Sequence, residues 1–168
     1  MSELPFEIDD FARKLPREND RKALAAVHER LTREGYKIQA KHNGAGFDIK
    51  YSIKSRKPIV AILYKKNKDA DFEIHVRPLH VARYANRFCE LSEHIRNCCI
   101  NGRECGRCGY CDKAYVFEYE GITYVKCQFI CANFCFTDID EGDADSILRI
   151  LDMELEEIAS ERKRKNPS

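Results

Sequence analysis

What this chain of 168 residues lacks narrows its class before any motif is read. No apolar run exceeds the short Ile59–Tyr64 stretch, and the opening Met-Ser-Glu-Leu-Pro-Phe-Glu has neither a basic nor an apolar leader segment. The sequence therefore predicts no membrane span and no signal peptide, and the expected compartment is the cytoplasm. Glycine and proline number only 8 and 5, and hydrophobic residues reach 43%, which excludes a collagenous, mucin-like or wholly disordered chain. Charge of one sign is not in excess either, since 29 basic residues stand against 28 acidic ones. There are no internal repeats and no low-complexity linker, so one α+β domain over 1–161 is expected, with a basic tail over 162–168.

Hydrophobic periodicity then lays out the elements. Asp9–Leu15 and Arg17–Glu34 have helical spacing, with Leu24, Val27 and Leu31 on one stripe, Pro16 at the break and Gly35 past the end. From Tyr36 the period becomes two. Tyr36, Ile38 and Ala40 alternate with polar residues, as do Phe47, Ile49, Tyr51 and Ile53, and Ile59–Tyr64 and Phe72–Val76 follow. This predicts a four-strand antiparallel meander with Asn43–Gly46 as its first turn. Val81–Cys99 reads as one helix across the sheet, Tyr115–Glu120 and Ile122–Cys127 as a hairpin about Gly121, and Gln128–Phe136 stays ambiguous. A last helix is expected from an Asp145 cap through Arg162, with Ile147, Leu148, Leu151, Leu155 and Ile158 inward.

Eight of the nine cysteines fall within 98–135, and only Cys89 lies outside. An odd count without a secretion signal argues for metal ligation or redox chemistry rather than a disulfide framework. Cys105-Gly-Arg-Cys108-Gly-Tyr-Cys111 holds two overlapping Cys-x-x-Cys units, a spacing that aims two thiolates at one zinc ion. Cys127 returns on the hairpin, and the preceding helix delivers Cys98 and Cys99. The expected ligand set is Cys99, Cys108, Cys111 and Cys127, with Cys98 and Cys105 competing for places and His94 a weaker competitor. An iron–sulfur cluster is the alternative cofactor, although its usual Cys-x-x-x-Cys-Pro continuation is replaced here by Asp112-Lys113-Ala114-Tyr115. Thiol redox chemistry at Cys108 and Cys111 is a further alternative. Cys131 and Cys135, interleaved with phenylalanines, read as core.

The pattern Cys111-x3-Tyr115-x-Phe117-x3-Gly121-x2-Tyr124-x-Lys126-Cys127 resembles a group of small bacterial cytosolic proteins of unknown function. That resemblance covers the last half of the chain and implies no particular activity.

Charge is divided along the chain: 19 basic and 12 acidic residues through Arg87, 10 and 16 after it. If the strand phases hold, Lys37, Lys41, Lys50, Lys54, His75 and Arg77 share the face opposite the apolar one, with Tyr64 nearby, as a nucleic-acid surface would need. No recognition helix or RNP-like aromatic motif accompanies it. The five histidines carry no catalytic signature, no catalytic residue is assigned, and His80 with Cys89 is the only pairing of interest. If the acidic last helix, bearing Glu154, Glu156, Glu157 and Glu161, lies near the basic surface, it weighs against nucleic acid. The sequence thus points away from an enzyme and toward a binding or regulatory domain with a structural zinc. Its partner would be a small molecule or a protein, with nucleic acid second and a membrane excluded.

Overall fold

A computed structural model of the protein describes residues 7–52, 58–65, 71–102, 104–105, 114–127 and 134–165. The elements are helices α1 (Ile8–Ala12), α2 (Glu18–Arg33), α3 (Val81–Tyr84), α4 (Glu93–Ile100) and α5 (Asp143–Lys165), with a 3-10 helix at Ala85–Glu90. The strands are β1 (Lys37–Asn43), β2 (Gly46–Ser52), β3 (Val60–Lys65), β4 (Asp71–Val76), β5 (Tyr115–Tyr119), β6 (Ile122–Lys126) and β7 (Phe134–Phe136). The fold is α+β, as expected: an antiparallel five-stranded sheet in the order β1-β2-β3-β4-β7 and a separate β5-β6 pair. The chain forms two compact units, Met1–His75 with Phe136–Ala144, and Val76–Cys135 with Asp145–Ser168.

In the first unit, α2 buries Ala23, Leu24, Val27 and Leu31 on the predicted stripe. Its end is a Schellman motif, in which the Tyr36 and Gly35 amides donate to the Leu31 and Thr32 carbonyls at 3.1 and 3.0 Å. Gly35 adopts a φ of 72° there. The strand register pairs Ile38 with Tyr51, Ala40 with Ile49 and His42 with Phe47, and then Phe47, Ile49 and Tyr51 with Tyr64, Ile62 and Val60. Residues opposite one another share a face, so these side chains form one apolar layer. Tyr64 belongs to that layer, buried against Phe47 with ring centroids 5.5 Å apart, and not to the basic face where it was expected.

The second unit departs from its expected single helix. Val81–Cys99 is broken into α3, the 3-10 helix and α4 because Leu91 takes an extended conformation with ψ of 156°. Ser92 then restarts the helix: its hydroxyl accepts from the Ile95 amide at 3.3 Å, while its own amide donates to Ser146 Oγ at 2.8 Å. Phe88, fully buried, gathers Phe117, Tyr119 and Phe134 at centroid distances of 5.8, 5.7 and 6.0 Å. Burying each such ring contributes about 1.5–3 kcal/mol. The β5-β6 hairpin turns through Glu120 and Gly121, both with positive φ, which is the combination that matches strand twist.

Helix α5 begins before its expected cap. Asp143 opens it, with Oδ2 accepting from the Asp140 amide at 2.9 Å, and Asp145 lies inside the first turn. Its buried residues include Ile147, Ile150, Leu151, Met153, Glu154, Leu155 and Ile158, while Leu148 is only half-buried. Arg162–Lys165, expected in the tail, complete the last turn, where cations complement the helix dipole. No helix among the described residues is long and apolar enough to cross a membrane.

Candidate functional sites

Two groups of chemically capable side chains lie within the second unit. The first is what the structure describes of the cysteine window. Glu104 forms an antiparallel bridge with Lys126, and the Cys105 amide donates to the Val125 carbonyl at 3.0 Å. Cys105 is thereby aligned along β6, which ends beside Cys127. Cys105 is half-buried and Cys127 buried. Lys126, between them in the pairing, is itself buried, with Nζ 3.7 Å from Glu104 Oε1 and 5.3 Å from the centre of the Tyr124 ring.

Helix α4 delivers Cys98 and Cys99 near its end, as expected. Cys99 is 0% exposed, and burial pushes its thiol pKa well up, with Cys98 adding to the shift. Cys98 is half-buried. Cys108 and Cys111, the core of the expected ligand set, and Cys131 lie outside the described residues. Among the described residues, no three cysteine sulfurs gather within 4.8 Å of one another.

The second group was not anticipated. Glu154, one of the acidic residues of α5, has a side chain that is 0% exposed. Three contacts compensate the buried carboxylate. The Tyr84 hydroxyl donates to Oε2 at 2.7 Å, the His80 amide donates to Oε2 at 3.2 Å, and His80 Nδ1 lies 2.7 Å from Oε1. Since Oε2 already receives two donors, the network assigns a proton to Nδ1, donated to Oε1. On the ring's other side, Nε2 lies 3.2 Å from Glu161 Oε2, while Glu161 Oε1 accepts from Lys165 Nζ at 2.6 Å. The Glu161 carboxyl is pulled down to about 2, chiefly by Lys165 and then by His80.

The same interior holds Tyr115 on β5. Burial raises its hydroxyl pKa, opposed by the nearby Arg77 guanidinium and reinforced by Glu154. Tyr84 is raised well above the usual phenol range, by burial first and then by Glu154, with Cys99 and Tyr115 contributing. The position of Glu154 was legible in principle. It stands three residues after Leu151 and four before Ile158, on the apolar stripe, where a carboxylate needs buried donors. His80 pairs with it and not with Cys89, which is exposed and directs Sγ to the Asn86 carbonyl at 3.6 Å.

The proposed nucleic-acid residues fare unevenly. In the first unit Lys37, Lys41 and Lys50 share the face opposite the apolar layer, as expected. That face also carries Asp48, whose Oδ2 lies 3.3 Å from Lys50 Nζ and 3.8 Å from Lys41 Nζ. His75 alternates away from Phe72, Ile74 and Val76, and its Nε2 lies 2.8 Å from Glu73 Oε2. Arg77 belongs to the second unit, and Lys54 lies outside the described residues. The chain matches no protein-family model, no curated protein and no solved structure.

Proposed function

We propose that this chain is a non-catalytic binding or regulatory protein of the cytoplasm whose β5-β6 hairpin and cysteine loop are stapled by one zinc ion on cysteine thiolates. The observation that carries this reading is the 3.0 Å bond from the Cys105 amide to the Val125 carbonyl, which fixes Cys105 along the strand that ends beside Cys127. Soft thiolates on a loop–hairpin frame suit tetrahedral zinc, and the buried Lys126 ammonium offsets part of their charge. Cys108 and Cys111 enter the set on their spacing alone. With them the set is full at four, so the α4 thiols Cys98 and Cys99, one expected as competitor and one as ligand, are left outside it.

A small molecule or a protein is the favoured partner. The carboxylates of Asp48 and Glu73 lie among the basic side chains of the sheet face and weaken it as a phosphate surface. The test is anaerobic purification with elemental analysis and a visible spectrum on the same sample. About one zinc per colourless chain is expected. Cys105→Ser and Cys127→Ser should each lose it, and Cys99→Ala should keep it. Iron with matching sulfide, no metal at all, or zinc retained when Cys105 and Cys127 are both replaced would overturn the proposal.

A further inference from the structure

We infer that His80 is a pH-sensitive latch: while its ring carries both protons, Nε2–H ties the last two turns of α5 to the segment before α3, and loss of that proton frees them. Ile158 is the last buried residue of α5. Beyond it Ala159, Ser160 and residues 162–165 are exposed, and Glu161 alone is half-buried. Among the described residues, the 3.2 Å bond from His80 Nε2 to Glu161 Oε2 is the one hydrogen bond or ion pair from these turns to anything outside α5. The bonds from Ser160 Oγ to the Glu156 carbonyl, from Arg164 Nε to the Ser160 carbonyl and from Lys165 Nζ to Glu161 Oε1 all stay within the helix. A helix end held by so little tertiary contact frays when that contact is lost, because short helical stretches are marginal in water on their own.

The two ring protons are not equivalent. The Glu154 side chain is 0% exposed, so water does not replace the donor that Nδ1 supplies at 2.7 Å. A buried carboxylate facing a bare Nδ1 lone pair is costly, and Nδ1 therefore keeps its proton. The Glu161 side chain is 34% exposed and is solvated when its donor leaves, so the proton that titrates is the one on Nε2. Glu161 stays an anion throughout, its carboxyl held down chiefly by Lys165 and then by His80. Once Nε2 is bare, its lone pair faces that anion and the attraction is gone. Docking and protonation are thus linked: the latch is closed on the acid side and opens as pH rises. The other groups around the ring keep their charge state across this range. Tyr84 on α3, which donates to Glu154, and Tyr115 on β5, which lies near it, have hydroxyls pushed up first by burial. Arg77 stands beside Tyr115, and on the outer side Arg83 bonds Glu157 at 2.9 Å.

The test uses the full chain, titrated between about pH 5 and 9 while the His80 ring nitrogens and the Cα shifts of residues 159–165 are followed by NMR. Nε2 should lose its proton with Nδ1–H retained, and the helical Cα shifts of the α5 end should fall with the same midpoint. In Glu161→Gln those shifts should no longer follow the ring, and His80 should release its proton at lower pH than in the wild type. Lys165→Gln leaves the His80 bond in place and should keep the pH dependence, which separates the latch from the loss of an i,i+4 pair. A helix end that ignores the ring titration would overturn the inference, as would a ring that keeps one protonation state throughout. The same pH dependence in Glu161→Gln, or its loss in Lys165→Gln, would overturn it too. Because the readouts are the His80 ring and the α5 end, the result is independent of whether the cysteines hold zinc.

Discussion

At the scale of single residues, the polar groups inside the apolar layers set the chemistry. His28 on α2 directs Nδ1 to the Tyr51 hydroxyl at 2.9 Å, and Tyr51 is fully buried. Burial lowers the His28 pKa from its ordinary 6.5. The folded protein therefore binds fewer protons at His28 than the unfolded chain does, so this residue's contribution is complete above pH about 6.5 and is lost as pH falls through its folded pKa. His28→Gln should flatten the decline of urea-unfolding stability between about pH 7 and 5 relative to the wild type. An unchanged slope would mean that His28 ionises equally in both states. Glu154 shows the same principle with the opposite requirement: an acid on an apolar stripe is tolerated because hydroxyl, amide and imidazole donors meet it.

At the scale of elements, Gly46 ties a sequence ambiguity to a packing requirement. Its place in Asn43-Gly44-Ala45-Gly46 reads as turn, yet it pairs with Asn43 at the start of β2. A Cβ there would stand 2.0 Å from the Tyr64 carbonyl oxygen and 3.1 Å from its carbon, both backbone atoms of β3 that cannot rotate away. Gly46→Ala should therefore cost about 1–3 kcal/mol or more in urea unfolding, and a loss below about 0.5 kcal/mol would show that the strands separate freely at this point. The strands and α2 were legible because alternation and the Leu24–Leu31 stripe encode which face is buried. The break at Leu91 was not, because Val81, Tyr84, Phe88, Leu91 and Ile95 keep helical spacing through it, and Ser92 acts as a cap partly through Ser146, distant in sequence. For the same reason the His80–Glu154 pair, 74 residues apart, escaped a reading based on neighbouring motifs.

At the scale of the whole molecule, the division of charge at Arg87 does not define a surface, since Arg87 lies inside the second unit. Basic residues from before that point meet acidic ones from α5 within the unit: Arg83 bonds Glu157 at 2.9 Å and Arg87 lies 3.4 Å from Glu156. Such exposed pairs contribute little individually, so they leave the hairpin's order to packing on Phe88 and to the proposed zinc staple. The β5-β6 pair has only two strands, and a two-stranded ribbon is marginal alone, whereas the β1–β4 meander has a continuous apolar layer. Removing zinc with a chelator should therefore act locally. Hydrogen exchange should quicken at least about tenfold at β5 and β6 amides while the β1-β2-β3 ladder keeps its protection, since units of a fold open with their own free energies. Equal acceleration in the β1-β2-β3 ladder would mean that the metal holds both units, and no acceleration anywhere would leave the hairpin ordered by its aromatic face alone.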